Sequence, residues 1–322
     1  MSPTTIAPSA PYTPPNTVPA AAFHAALVRD GWLLPATVPG VPGRSATFER
    51  VLASVERHLE RAAADDGAEV LRFPPLIPRA LLERSGYLES FPHLAGSVHA
   101  FDGSDADHRT LLRAAGDDTA SSLGTTWADA LPPTAVVLTP AACYPVYEHA
   151  RGELPAGGRL VDVASYCFRH EPSDDPGRMQ SFRMHEWVRL GTPDDVRAFR
   201  DRWLERGVTL LGALGLEVHA DVANDPFFGR AGRLMAAAQR EQSLKFELLA
   251  AVGDPAHPTA VASCNYHQDH FGHKFGIHTA DGASAHTACV GFGLERLVLA
   301  LVRRHGTDAG AWPAAVRAVL AT

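Results

Sequence analysis

The sequence predicts an α+β fold, an antiparallel sheet backed by helices. Its strand-like runs come in groups, and long amphipathic helices separate those groups. A hydrophobic share of 46% over 322 residues supplies apolar material for one large core.

Residues 1–20 (MSPTTIAPSAPYTPPNTVPA) are rich in Pro, Thr, Ser and Ala and are expected to form a disordered tail, leaving 21–322 as a single domain. Phe48, Val51, Leu52, Val55, Leu59 and Ala62 recur at helical spacing, and Gly67 stops the run. Ala68–Phe73 reads as a strand halted by Pro74-Pro75, and 134–139 and 160–168 read as further strands. Thr192 is a helix N-cap, with Pro193 at the first helical position and two acids in the first turn. Val196, Phe199, Trp203, Leu210 and Leu214 form that helix's apolar face, and Gly215 ends it. Leu216–Val222 alternates like a strand, 233–250 reads as a helix, and 287–293 as a strand. A last helix covers Leu294–Arg304, with Leu294, Leu297, Val298 and Leu301 inward. No internal repeat is visible.

The formal net charge of -7 and the absence of a Lys/Arg run argue against nucleic acid as the main partner. Four widely spaced cysteines do not make a disulfide scaffold. No apolar run reaches membrane-spanning length and no signal pattern opens the chain, so a cytoplasmic protein with no membrane partner is expected.

Three segments carry chemistry. The helix at 48–65 is followed by VLRFPPL (70–76) and GYLESFPHL (86–94). CFRHEPSDDPGRMQSFRMHEWV (167–188) comes second and ACVGFGLERLVLAL (288–301) third. In that order they resemble motifs 1, 2 and 3 of class II aminoacyl-tRNA synthetases, which implies that class's sheet, dimerisation through motif 1, and adenylation by ATP with Mg²⁺. Adenylation develops negative charge on the α-phosphate, so the enzyme needs fixed cations. Arg169 suits a bidentate clamp on that phosphate, where Lys would give a point charge. Glu171 is expected on the same strand face, accepting from the adenine amino group. Arg296, near a helix start, is expected to face the γ-phosphate. Trp187 stands where the seryl type offers a Phe to stack on adenine, and Arg178 lies on a loop (172–182) expected to cover the nucleotide. Arg169 and Arg296 are thus the catalytic candidates.

The narrower resemblance is to amino acid:[carrier protein] ligases, truncated homologues of atypical zinc-dependent seryl-tRNA synthetases. It runs over about 45–320 on PAACYPVY (140–147), RMQSFRMHEWV (178–188), DPFFGR (225–230), LKFELL (244–249) and HGTDAGAWP (305–313). It implies activation of glycine or alanine and transfer to the phosphopantetheine thiol of a holo carrier protein, without tRNA. In keeping with that, about 45 residues precede the first motif and cannot supply a tRNA-binding hairpin. Cys143, Glu186 and Cys289 fall on that family's zinc positions, and two thiolates plus one carboxylate would leave a fourth tetrahedral position open. Read without that resemblance, the two cysteines fit buried core thiols better than metal ligands, as Cys167 and Cys264 are expected to be.

His267, His270, His273 and His278 offer a rival metal cluster, but their spacing does not hold three rings on one face. Lys245 and Glu247 read either as lining of the amino-acid pocket or as a helix-surface ion pair. The acidic Mg²⁺ ligand of seryl-tRNA synthetases has no match near SCN (263–265), where Thr259 and Val261 stand instead. Two other functions fit the motifs: a seryl-type synthetase acting on tRNA, and a non-catalytic paralogue serving as a binding subunit.

Overall fold

The computed structural model describes residues 18–115, 127–254 and 256–321. Most of the expected tail lies outside them, and Ala20 already opens a helix, Ala20–Arg29. Seven strands build the central sheet, numbered along the chain as β1 Glu69–Arg72, β2 Arg159–Phe168, β3 Ser181–Gly191, β4 His219–Val222, β5 Lys245–Ala250, β6 Thr259–Gln268 and β7 His286–Gly293. Their spatial order is β4-β5-β6-β7-β3-β2-β1. Every neighbouring pair is antiparallel except β1–β2.

Both faces of the sheet are covered, each by its own apolar core. On one face, Phe48, Leu52, Val55 and Leu59 of helix Ala46–Ala63 pack with Trp203 and Leu211 of helix Pro193–Ala213 and Leu297 and Leu301 of helix Leu294–His305. The spacing of three or four is what an amphipathic helix needs to bury one stripe. The N-cap expected at Thr192 is made, its Oγ1 accepting from Asp195 N at 3.4 Å, and the structure adds one at Ser45, whose Oγ accepts from Phe48 N at 3.3 Å. On the other face, short helices Arg79–Ser85, Tyr144–His149 and His270–Phe275 pack Leu82, Val146, Tyr147 and Phe271 against Val163, Val188 and Leu190. The expected strand at 134–139 forms as Pro133–Leu138, in a separate three-stranded sheet with Leu76–Pro78 and Ser97–His99.

One ion network ties the three motifs together. Glu295 accepts from the Arg183 backbone N (2.7 Å) and Nε (2.9 Å), while Arg183 forks onto Glu49 at 2.7 and 2.8 Å. Helix Ala46–Ala63, strand β3 and helix Leu294–His305 each contribute one member.

One element differs in kind from expectation. The helix read over 233–250 spans Gly229–Glu241, and the chain then turns through Ser243 at φ 50 into β5. Lys, Glu and Leu favour helices in isolation, but 245–250 has hydrogen-bonding partners on both sides, β4 and β6, and the ladder overrides the local preference.

Candidate active site

A cavity of about 480 Å³ opens on the second face, between β3, β5, β6 and β7 and the short helices. Strand parity decides what lines it. Along β3, Phe182, Met184 and Glu186 face the cavity, and Trp187 faces the opposite core. Cys289, Gly291 and Gly293 of β7, Asn265 and His267 of β6, and Lys245 and Glu247 of β5 complete the floor. Gly291 stands directly opposite Glu186; a Cβ there would meet Glu186 Cγ at 3.2 Å and Met184 Cε at 3.3 Å. The missing side chain gives those two groups their room.

Cys143, Glu186 and Cys289 meet although far apart in sequence: one ligand atom from each lies within 4.8 Å of the others. Cys143 arrives at the start of helix Tyr144–His149, the other two from paired strands. All three are buried. Glu186 accepts from Ala142 N at 2.7 Å. Burial first, and then the charge of Cys289, push its carboxyl up to about 8. Its hydrogen bond to Cys289 and burial hold the Cys143 thiol well up, whereas Cys289 is drawn down as the acceptor from Cys143. Three acidic groups crowded away from water are costly unless a cation joins them, and two sulfurs with one carboxylate are a donor set that fits zinc. Cys167 and Cys264 are buried free thiols within the two cores.

Arg169 and Arg296 share the same cavity. Arg169 Nε donates to Pro140 O at 3.1 Å, and its guanidinium lies 5.5 Å from the Phe182 ring centre. Arg296 donates from Nε to Gly177 O (2.8 Å) and from Nη1 to Ala260 O (2.9 Å). These partners are neutral, so both charges remain available to an anion. Burial and then repulsion from Arg169 press the Arg296 pKa down, as two cations facing one space should.

Lys245 is a strand residue, so the helix-surface ion pair is set aside. Its Nζ lies 2.5 Å from Asp225 Oδ1 and 3.0 Å from Glu247 Oε1, inside the cavity wall. Burial favours neutral Lys245, but Asp225 and Glu247 outweigh it and raise the pKa. Gln239 grips the same carboxylate, accepting from Asp225 N at 2.7 Å and donating to Oδ2 at 2.8 Å.

Trp187 requires correction. It is 0% exposed and stacked between His185 (4.5 Å) and Trp203 (4.6 Å) in the first core, so it offers no face to a nucleotide. Glu186 next to it takes the cavity side, and period-two alternation sends Trp187 away. Phe182, on the same strand but in the opposite phase, is an aromatic that does line the cavity. β2 ends at Phe168, so Arg169 and Glu171 both lie past it and do not share a strand face; Glu171 pairs with Arg178 at 3.3 Å, and neither Glu171 nor Arg178 lines the cavity. The loop carrying them is nevertheless fastened over Arg296 through Gly177 O.

The histidines do not converge. His267 approaches Cys289 Sγ at 3.6 Å, His270 bonds Ser85 O, His273 pairs with Asp269 on the surface, and His278 is exposed. Thr259 begins β6 and Val261 is buried, so neither position supplies a carboxylate. Asp225, Gln239, Phe182 and Asn265 line the cavity without having been assigned a role from sequence; all but Gln239 stand in quoted segments, and only strand parity marks Phe182.

No family model matches the chain. The fold is that of class II aminoacyl-tRNA synthetases: the M. kandleri SerRS, solved with an A. aeolicus tRNASec, superposes with a TM-score of 0.80 at 22% identity, over 98% of this chain and 62% of that one. The seryl-tRNA synthetase of Pyrococcus horikoshii, solved with ATP, gives 0.65 at 15% identity, covering 88% of this chain and 58% of its own. In sequence, a type-2 serine–tRNA ligase of Methanopyrus kandleri is 30% identical over 79% of this chain and 51% of its own length. Amino acid–[acyl-carrier-protein] ligases 1 and 2 of Bradyrhizobium diazoefficiens are 47% and 48% identical over 87% and 88% of this chain, and 85% and 83% of theirs. At that identity over most of both lengths, this chain belongs to the amino acid–[acyl-carrier-protein] ligases.

Proposed function

We propose that this ligase activates glycine or alanine with ATP and Mg²⁺ as the aminoacyl adenylate, then passes the acyl group to the phosphopantetheine thiol of a holo carrier protein. The observation that carries this reading is one cavity holding two arginines that, among the described residues, bond neutral carbonyls, beside a buried Cys143–Glu186–Cys289 cluster. The substrate carboxylate attacks the α-phosphorus and pyrophosphate departs; Arg169 and Arg296 stabilise the charge that develops. Phe182 takes the adenine platform role, with Glu171 and Arg178 on the loop above it. Cys143, Glu186 and Cys289 would hold zinc, which when bound offers an open position for the substrate's neutral amine. Tyr144, Phe271, Lys245, Glu247 and Asp225 are among the residues that line the cavity, and a small substrate side chain is expected there. The thiol of the arm then attacks the activated carbonyl and AMP leaves. Four free cysteines accord with a reducing compartment such as the cytoplasm.

The test sets labelled amino acid transfer to holo-carrier, apo-carrier and total tRNA side by side. Label is expected on holo-carrier alone, and ATP–pyrophosphate exchange should fall about two orders of magnitude in Arg169→Ala and in Arg296→Ala. Label on tRNA, or equal label on both carrier forms, would sink the reading.

A further inference from the structure

We propose that His267 is a positioning residue for Cys289, donating an Nε2–H hydrogen bond that fixes and tunes the sulfur as a zinc ligand. The role rests on the zinc centre proposed above. His267 Nε2 lies 3.6 Å from Cys289 Sγ, and Asn265 Nδ2 lies 3.4 Å from the same atom. His267 is not itself a member of the group whose ligand atoms lie within 4.8 Å of one another. Its other nitrogen, Nδ1, is 3.0 Å from the hydroxyl of Thr287, which is fully buried two residues before Cys289 on β7. The ring is set edge-on to Tyr147 and Phe271, at 82° and 71°.

The proton placement follows from what each atom can do. A thiolate bound to a metal only accepts, so Nε2 carries the hydrogen. A neutral imidazole has one N–H, so Nδ1 accepts and the Thr287 hydroxyl donates. Thr287 thereby sets the tautomer that serves the sulfur, and the donor and its support both flank Cys289 in the β6–β7 ladder. Two N–H donors on one sulfur withdraw electron density from it, leave the metal a stronger Lewis acid, and hold the Cys289 rotamer toward Glu186 and Cys143. Sequence spacing had set the four histidines against one another as ligands; the structure gives one of them work beside the centre.

The test compares wild type, His267→Phe and His267→Gln, each stripped of metal and reloaded with zinc or with cobalt(II). Phe keeps the packing against Tyr147 and Phe271 but removes the donor, and Gln restores an N–H near the Nε2 position. Chelator competition should show zinc held about 10- to 100-fold more loosely by His267→Phe. The thiolate-to-cobalt charge-transfer band should shift in the same variant. His267→Gln should recover most of both, with the metal-free melting curves of all three alike. Should His267→Phe not fold, Thr287→Val, which removes the hydroxyl that sets the tautomer, should move the band in the same direction. A wild type that takes up no metal overturns the zinc centre and this role together. A wild type that binds zinc, with affinity and band unchanged in His267→Phe (or, in its place, Thr287→Val), overturns the role of His267 alone.

Discussion

Glu295 is 1% exposed, and its position between Arg183 and Arg44 explains how a carboxyl group is tolerated there. Arg183 N and Nε supply two charge-assisted bonds, and Arg44 Nε adds a contact at 3.4 Å. Removing one partner of such a group leaves the other charges buried without compensation, which costs more than the pair contributes. Glu295→Ala is therefore expected to lower unfolding free energy by about 3 kcal/mol, since Arg183 keeps Glu49. Denaturant titration with an unchanged slope would show it; a loss below about 1 kcal/mol would mean the network is ornamental. At this scale the sequence marked Arg169, Arg296, Cys143, Glu186 and Cys289, because their residue types and the motif order are visible in one dimension. Trp187 was misplaced because the strand's phase is set by tertiary packing: the motif identifies the strand, and burial of Trp187 against Trp203 chooses which face each residue takes. Asp225 and Gln239 were silent because the chain of contacts from Gln239 to Asp225 and from Asp225 to Lys245 depends on a helix and a loop meeting a strand end.

Helix Pro193–Ala213 is the longest described helix, and its start was legible because the signal is local: Thr192, Pro193 and two acids lie within four consecutive residues. Thr192 Oγ1 accepts from Asp195 N and also donates to Asp195 Oδ2 at 2.9 Å, so the first turn is closed from both ends. Thr192→Ala should cost about 1 kcal/mol and lower the melting temperature by a few degrees, without altering exchange kinetics at low temperature. An unchanged melting curve would show that packing of Trp203 and Leu211 alone holds the helix. Strand β5 illustrates the opposite case. KFELLA carries helix-favouring residues, and the information that makes it a strand sits in β4 and β6, on either side of it in space. Local chemistry could not show that.

Across the whole molecule, the sheet ends at β1, whose only ladder partner among the described residues is β2. An outer strand with open backbone groups invites pairing, and natural sheets cover, charge or shorten such edges. This edge is short, but Val70 at its centre is 63% exposed and carries no charge. Arg72 does not guard it, being drawn inward to Asp162 at 2.8 Å. Val70 and Leu76 are exposed apolar groups within the motif 1 segment, so a second copy of the chain is expected to cover this edge. Sedimentation of the wild type at micromolar concentration should give twice the 34.4 kDa chain mass. Val70→Lys places a charge where the second edge would lie and should weaken association by about tenfold or more, the effect of 1.4 kcal/mol. A monomeric wild type would remove the dimer, and a dimer indifferent to Val70→Lys would move its interface elsewhere on the surface. The variant also separates assembly from chemistry, because Val70 lies outside the cavity that holds Arg169 and Arg296. If exchange activity falls with dissociation while the monomer stays folded, the Glu49–Arg183–Glu295 network is the route to test next, since it joins helix Ala46–Ala63 to β3 and to helix Leu294–His305.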